Sequence, residues 1–322
     1  MADGRAGGGG AVTARPVRLG PRSVAALVLV SAVGVAAFGW PLLADGASGL
    51  AEAHAGVAPW LFAALLPLLV GVVVATISDS GVDAKAVAML GVLAAVGAAL
   101  RPLGAGTAGL EPMFFLMVLS GRVLGPGFGF VLGAVTMFAS ALLTGGVGPW
   151  MPYQMLSMAW FTMGAGLLPA REGLRGRGEL LVLAAYGAVA AFAYGTAMNL
   201  QGWVLALPEG SSGIAFHAGE PVHENLVRFA AYCLATSMGW DLGRAALTVV
   251  LTLTIGSTVL KALRRATRRA AFEAQVTFEG TEKPHPGHFG VRRPTGPTSH
   301  TTPVSGPATP SREGRSARGD LR

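Results

Sequence analysis

Asp241 and Arg244 stand three residues apart in a segment that is otherwise largely apolar. That spacing lets them face one another on a helix, and a paired charge in such surroundings is far cheaper than a lone one. The pair reads as an internal ion bridge that fixes its helix, with a proton relay or a ligand counter-ion as the functional alternative. Further polar and aromatic residues collect at the ends of apolar runs. Glu111 and Pro112 open one run with Phe114 just inside it, and residues 145–154 (GGVGPWMPYQ) join two others and carry Trp150, Tyr153 and Gln154. Asn199, Gln201 and Trp203 close another run, and His223, Glu224 and Asn225 precede the last. Tryptophan and tyrosine at a helix end suit an interfacial anchor, whereas Gln154 and Asn199 lie just inside their runs, where an amide without a partner is costly. Four such clusters from four helix ends describe a pocket with aromatic walls and a few placed polar groups. The chemistry on offer is recognition of a small molecule.

Catalytic signatures are missing from the sequence. A phosphate-cradling GxxxxGK[ST] loop needs a lysine after glycine, and Lys85, Lys261 and Lys283 follow Ala84, Leu260 and Glu282. There is no HExxH and no GxSxG, and the histidines lack zinc-ligand spacing. The single cysteine, Cys233, excludes an intramolecular disulfide framework and a cysteine-rich zinc site. These absences predict a chain that is not an enzyme and holds neither metal nor cofactor.

Positioning the polar clusters takes helices in lipid. Of 322 residues, 52% are hydrophobic and 13% charged, against roughly 25% charged in a soluble globular chain. The net charge of +7 comes from basic groups placed beside apolar runs, not from a stripe with interleaved aromatics, so it reports topology and not nucleic-acid binding. Runs able to span, at about 20 apolar residues each, fall at 23–43, 58–77, 86–100, 111–124, 126–144, 150–169, 180–205 and 239–260. The run 111–124 is too short to cross ~30 Å unaided, and the segment 225–238 either extends the last helix or lies as a separate helix on the outer face. With eight spans, Arg15, Arg18 and Arg22, then Arg171, Arg175 and Arg177, then Lys261, Arg264, Arg265, Arg268 and Arg269 all fall on one side together with Lys85 and Arg122. The opposite loops hold little base beyond Arg101 and Arg228. The positive-inside rule then puts both termini in the cytosol of a multi-pass plasma-membrane protein. Residues 1–19 have no apolar periodicity and are expected to be disordered, and 266–322 is expected to be a tail that is basic at first and then, from about 271, Pro/Ser/Thr-rich and disordered.

Small residues mark close approaches. Gly91, Ala95 and Ala99 recur every fourth position with Ala94 and Ala98 in a parallel row, giving a flat face for packing within the bundle or for docking another subunit. Gly121, Gly125, Gly127, Gly129 and Gly133 around Arg122 and Pro126 favour a tight turn and a close helix crossing.

The run EPMFFL from Glu111, SGRVLGPGFG at 120–129 and GGVGPW at 145–150 resembles the S components of energy-coupling factor (ECF) vitamin transporters, over residues 84–265. The resemblance implies an all-α polytopic bundle, a six-helix core over 81–265 preceded by two extra helices within 20–80. It implies a vitamin pocket open to the outside, formed by Glu111, Phe114, Trp150, Tyr153, Gln154, Asn199, Gln201, Trp203, His223 and Asn225, with the loop 101–110 as its cap. It also implies that Gly91, Ala94, Ala95, Ala98 and Ala99 meet a coupling transmembrane subunit, which two ATPase subunits drive. The GPW-P-Q pattern looks most like S components thought to serve corrinoids, which points to cobalamin. Three rivals make different demands: a membrane-embedded enzyme would use Glu111, His223, Glu224 or Asp241 as acid or base, a secondary transporter would show repeats and broken helices, and a scaffold leaves the outer polar clusters unexplained.

Overall fold

The computed structural model describes residues 20–43, 66–75, 84–104, 108–169, 176–207, 211–217 and 219–272. The expectations for residues 1–19, for 58–65 and 76–77 of the second run, and for the tail from 273 lie outside them. The described residues are helical and contain no strand: α1 (Pro21–Leu43), α2 (Leu66–Ala75), α3 (Ala84–Leu100), α4 (Met113–Leu124), α5 (Pro126–Thr144), α6 (Met151–Leu167), α7 (Arg177–Ala206), α8 (Val222–Thr236), α9 (Met238–Thr254) and α10 (Gly256–Phe272). Among them α1, α3, α5 and α7 are long and apolar enough to cross a membrane, and α9 with α10 passes as a fifth only as a pair bent by 72°. The expected single helix over 239–260 is therefore two. Its break falls at Ile255, before the Gly256-Ser257 pair, a combination at which helices kink. The basic start of the tail is helical, because α10 continues to Phe272 on a buried stripe of Leu260, Leu263 and Thr267. Most of the segment 225–238 forms a separate helix: residues 225–236 belong to α8, Ser237 caps it, and Met238 opens α9.

Glycines set the centre of the bundle. Gly125 adopts φ 88°, a conformation that favours glycine, and Pro126 starts α5 at its first turn, so the chain reverses between α4 and α5 without a loop. A methyl added at Gly121 would overlap the Thr162 carbonyl oxygen of α6, and one at Gly133 that of Met158. Helices α4, α5 and α6 thus meet backbone to backbone, around a core that includes Phe130, Leu132, Met117 and Leu156.

Two further helices close on this centre. α3 presses Gly97 against Thr136 of α5 and Met117 of α4. α1 is packed on α6: Gly34 abuts Leu156 and Trp160, the Trp160 indole donates to Ser31 Oγ at 2.9 Å, and Phe38 meets Tyr153 edge to face at 5.0 Å. Gly34→Leu is expected to push α1 off α6. The check is cross-linking of the Ser31→Cys/Trp160→Cys pair, which should be efficient in the parent background and fall severalfold with the added leucine.

The polar side chains sort to the two ends. At one end Glu179, at the start of α7, accepts from Arg122 of α4 at 2.9 Å and from Arg264 of α10 at 2.6 Å. Asn199 lies on the same helix, twenty residues and so about 30 Å away at 1.5 Å per residue. That far end holds the candidate site.

Candidate functional site

The end of α3 and the starts of α4, α6 and α9 surround the outer part of α7 and leave a cavity of about 190 Å³. Its polar lining is Arg101, Glu111, Gln154, Asn199, Ser237, Asp241 and Arg244, and its apolar walls include Phe114, Tyr194 and Trp240. The expected pair Asp241–Arg244 is present, with Arg244 Nη1 donating to Asp241 Oδ1 at 2.7 Å. A second carboxylate joins it, because Arg244 Nε also donates to Glu111 Oε2 at 3.0 Å across to α4. The guanidinium carbon lies 4.7 Å from the Phe114 ring centroid and 5.1 Å from that of Tyr194, so aromatic faces shield the charge from the bundle interior.

From Asp241 the network runs on to α7. Ser237 Oγ donates to Asp241 Oδ2 at 2.9 Å, and Asn199 Nδ2 donates to Ser237 Oγ at 2.7 Å and to Cys233 Sγ at 3.2 Å. Gly195 makes this approach possible, since any side-chain carbon there would overlap the Asp241 carboxylate. Glu111, Arg244, Asp241, Ser237 and Asn199 therefore tie α4, α9 and α7 into one polar chain whose amide and carboxylates are satisfied.

Arg101 behaves differently. It donates to Ser140 Oγ at 3.1 Å and to Gln154 Oε1 at 3.3 Å, both neutral acceptors, and no carboxylate of the described residues pairs with it. Both distances exceed the 2.7–2.9 Å usual for a charge-assisted bond to an anion. A guanidinium offers five N–H donors, so Arg101 keeps donors and charge for a further partner. Residues 108–109 pack on α9 beside the site: Gly109, at φ 84°, lies against the Trp240 backbone, and Gly243 of α9 lies against the Ala108 carbonyl.

Of the residues expected to form the pocket, the cavity gathers Glu111, Phe114, Gln154 and Asn199. Trp150 is exposed and its indole donates to Gly146 O at 3.2 Å within its own turn. Tyr153 is buried against α1. Trp203, fully buried, donates to Ile214 O at 2.7 Å and packs with Phe216, Phe229 and Tyr232. Asn225 clamps His217 through both backbone groups, at 3.1 and 2.7 Å, so these two side chains pin residues 211–217 onto α7 and α8. Gln201 is half-buried and His223 exposed, and neither lines the cavity. Beside them Arg228 bonds Glu220, which holds that carboxyl below the usual carboxylate range. Cavity residues not expected there include Tyr194, Ser237 and Trp240, and Arg101, expected only as the start of the cap, lines it as well.

No family model, curated protein or solved structure matches this chain. Among the described residues no group of three His, Cys, Asp or Glu side chains could hold a metal ion. The site is a small cavity at one end of a bundle of apolar helices, with aromatic walls, one cation paired to two carboxylates and one bonded to neutral groups.

The small-residue face of α3 divides in two. Ala94 and Ala98 are buried inside the bundle, while Gly91, Ala95 and Ala99 are exposed, and the space around Gly91 is open.

Proposed function

We propose that this chain is the substrate-capture subunit of an energy-coupling factor importer, binding a vitamin or related micronutrient on the outer side of the plasma membrane. The observation that carries the reading is the cavity at the ends of α4, α6, α7 and α9, with residues 108–109 packed on α9 beside it and Arg101 without an anionic partner among the described residues. Arg244 is neutralised by two carboxylates, whereas Arg101 bonds only neutral acceptors among the described residues, which suits a ligand bearing a carboxylate or phosphate with an apolar or aromatic body.

The finer layout belongs to this proposal: a six-helix core of α3, α4, α5, α6, α7 and α9, with α1 and α2 as additions and both termini cytosolic. At about 190 Å³ the cavity is below the 300–1,000 Å³ typical for drug-sized ligands. A corrinoid therefore requires residues 108–111 to lift away from α9, whereas a smaller vitamin enters the cavity as it stands. Arg101→Gln should weaken ligand binding by about ten- to hundredfold, the ~1.5–3 kcal/mol of a hydrogen bond to a charged group, without loss of folded protein. Gln154→Ala should weaken it less, and Trp150→Ala should leave it unchanged; isothermal titration of the purified variants ranks the three.

Partners follow from the same reading. The outward row Gly91, Ala95 and Ala99 is the docking face for the coupling transmembrane subunit, through which two ATPase subunits drive reorientation. Co-expression with those three subunits tests the assignment. The wild type should co-purify with them and Ala95→Leu should not, while retention of the complex by Ala95→Leu would remove this face from the interface. Ala98→Leu is not a clean probe, because Ala98 is buried within the bundle.

A further inference from the structure

α10 carries Lys261, Arg264, Arg265, Arg268 and Arg269. On a helix of 3.6 residues per turn these five occupy one sector, and Gly256, Leu260, Leu263 and Thr267 form the buried stripe on another. Val259, Ala262 and Ala266 lie between them, so an apolar edge borders the basic one. Two observations fix how this helix is held. It turns 72° from α9, so with α9 crossing a bilayer α10 runs close to the membrane plane. Glu179 then sets its rotation, because the carboxylate that accepts from Arg122 also accepts from Arg264.

That latch leaves the rest of the sector uncompensated. Among the described residues no carboxylate other than Glu179 pairs with it, and Lys261, Arg265, Arg268 and Arg269 are exposed. Charge placed only to set topology would be free to scatter beyond the span; here it is sorted onto one side of a helix clamped at the end of the bundle. We infer that α10 is a binding site for anionic phospholipid headgroups. The arginine forks take the phosphate oxygens and the Val259–Ala262–Ala266 edge rests on the upper acyl chains. A basic helix directly following a span, with unpaired cations at headgroup depth, has the charge and position this ligand requires. The inference needs the chain to lie in a membrane and is independent of what the opposite cavity binds.

The test is native mass spectrometry of the full-length detergent-purified protein titrated with phosphatidylglycerol and, separately, with phosphatidylcholine. Phosphatidylglycerol should bind more tightly, and its advantage should shrink as salt rises. Arg265→Gln/Arg268→Gln/Arg269→Gln should lower its affinity by on the order of 100-fold, about fivefold per charge, while the corresponding triple lysine variant keeps most of it. Equal binding of the two lipids overturns the proposal, as does an unchanged affinity in the triple glutamine variant. Displacement of phosphatidylglycerol by millimolar inorganic phosphate also overturns it, since the site would then be one for soluble anions.

Discussion

Arg244→Met should leave little folded protein, with a loss of about 3–5 kcal/mol, the range for removing one partner of a buried ion pair. Arg244 is the shared cation of Glu111 and Asp241, at 3.0 and 2.7 Å. All three side chains are largely buried, at 10%, 20% and 6% exposure for Arg244, Glu111 and Asp241. Without the guanidinium two carboxylates share a low-dielectric site, and Phe114 and Tyr194 lose the charge stacked on their faces. Size-exclusion profiles and thermal melts in detergent check this. The same argument fixes a rescue: Glu111→Gln/Asp241→Asn/Arg244→Met removes every charge and should recover most of the folded yield. A triple variant as poor as the single one would mean that packing, and not charge, dominates at Arg244.

Gly133→Leu and Gly121→Leu should each cost about 3 kcal/mol or more, at or above the upper end of ordinary overpacking. The added side chain meets the Met158 or Thr162 carbonyl, and a helix backbone cannot turn aside as a side chain can. The helices would have to separate along the α5–α6 or α4–α6 contact. Gly91→Leu is the matched control, because nothing lies within 4 Å of the position its Cβ would take. The control should melt as the wild type does, and the other two well below it.

The parts of the site legible in the sequence are those set by spacing along one helix. Asp241 and Arg244 could be paired from a three-residue interval, and Glu111, Gln154 and Asn199 could be placed at one end of the bundle from their positions within apolar runs. That Glu111 is the third member of the ion cluster follows only from how α4 packs on α9, which no local pattern reports. Position along the chain alone puts Trp203 and Asn225 beside the pocket residues. Trp203 stands one turn beyond Asn199 and lies under residues 211–217, which the apolar periodicity does not describe. Arg101 does carry a signal: the charge rule assigns its loop to the side expected to hold few basic residues, and an exception to that rule needs a reason. The run 239–260 concealed its break because Gly256-Ser257 lowers hydropathy too little to interrupt a span. The basic residues after it were read for topology alone, although their spacing already described the exposed sector of a helix.

The central claim is that the cavity beside Arg101 captures a small molecule. Native mass spectrometry of the detergent-purified chain, expressed alone in a vitamin-replete host and then incubated with a panel of vitamins, tests it most directly. The account predicts one retained mass belonging to a vitamin with a carboxylate or phosphate, present in the wild type and lost in Arg101→Gln. A wild-type protein that stays empty through the whole panel, while remaining folded and monodisperse, would contradict it.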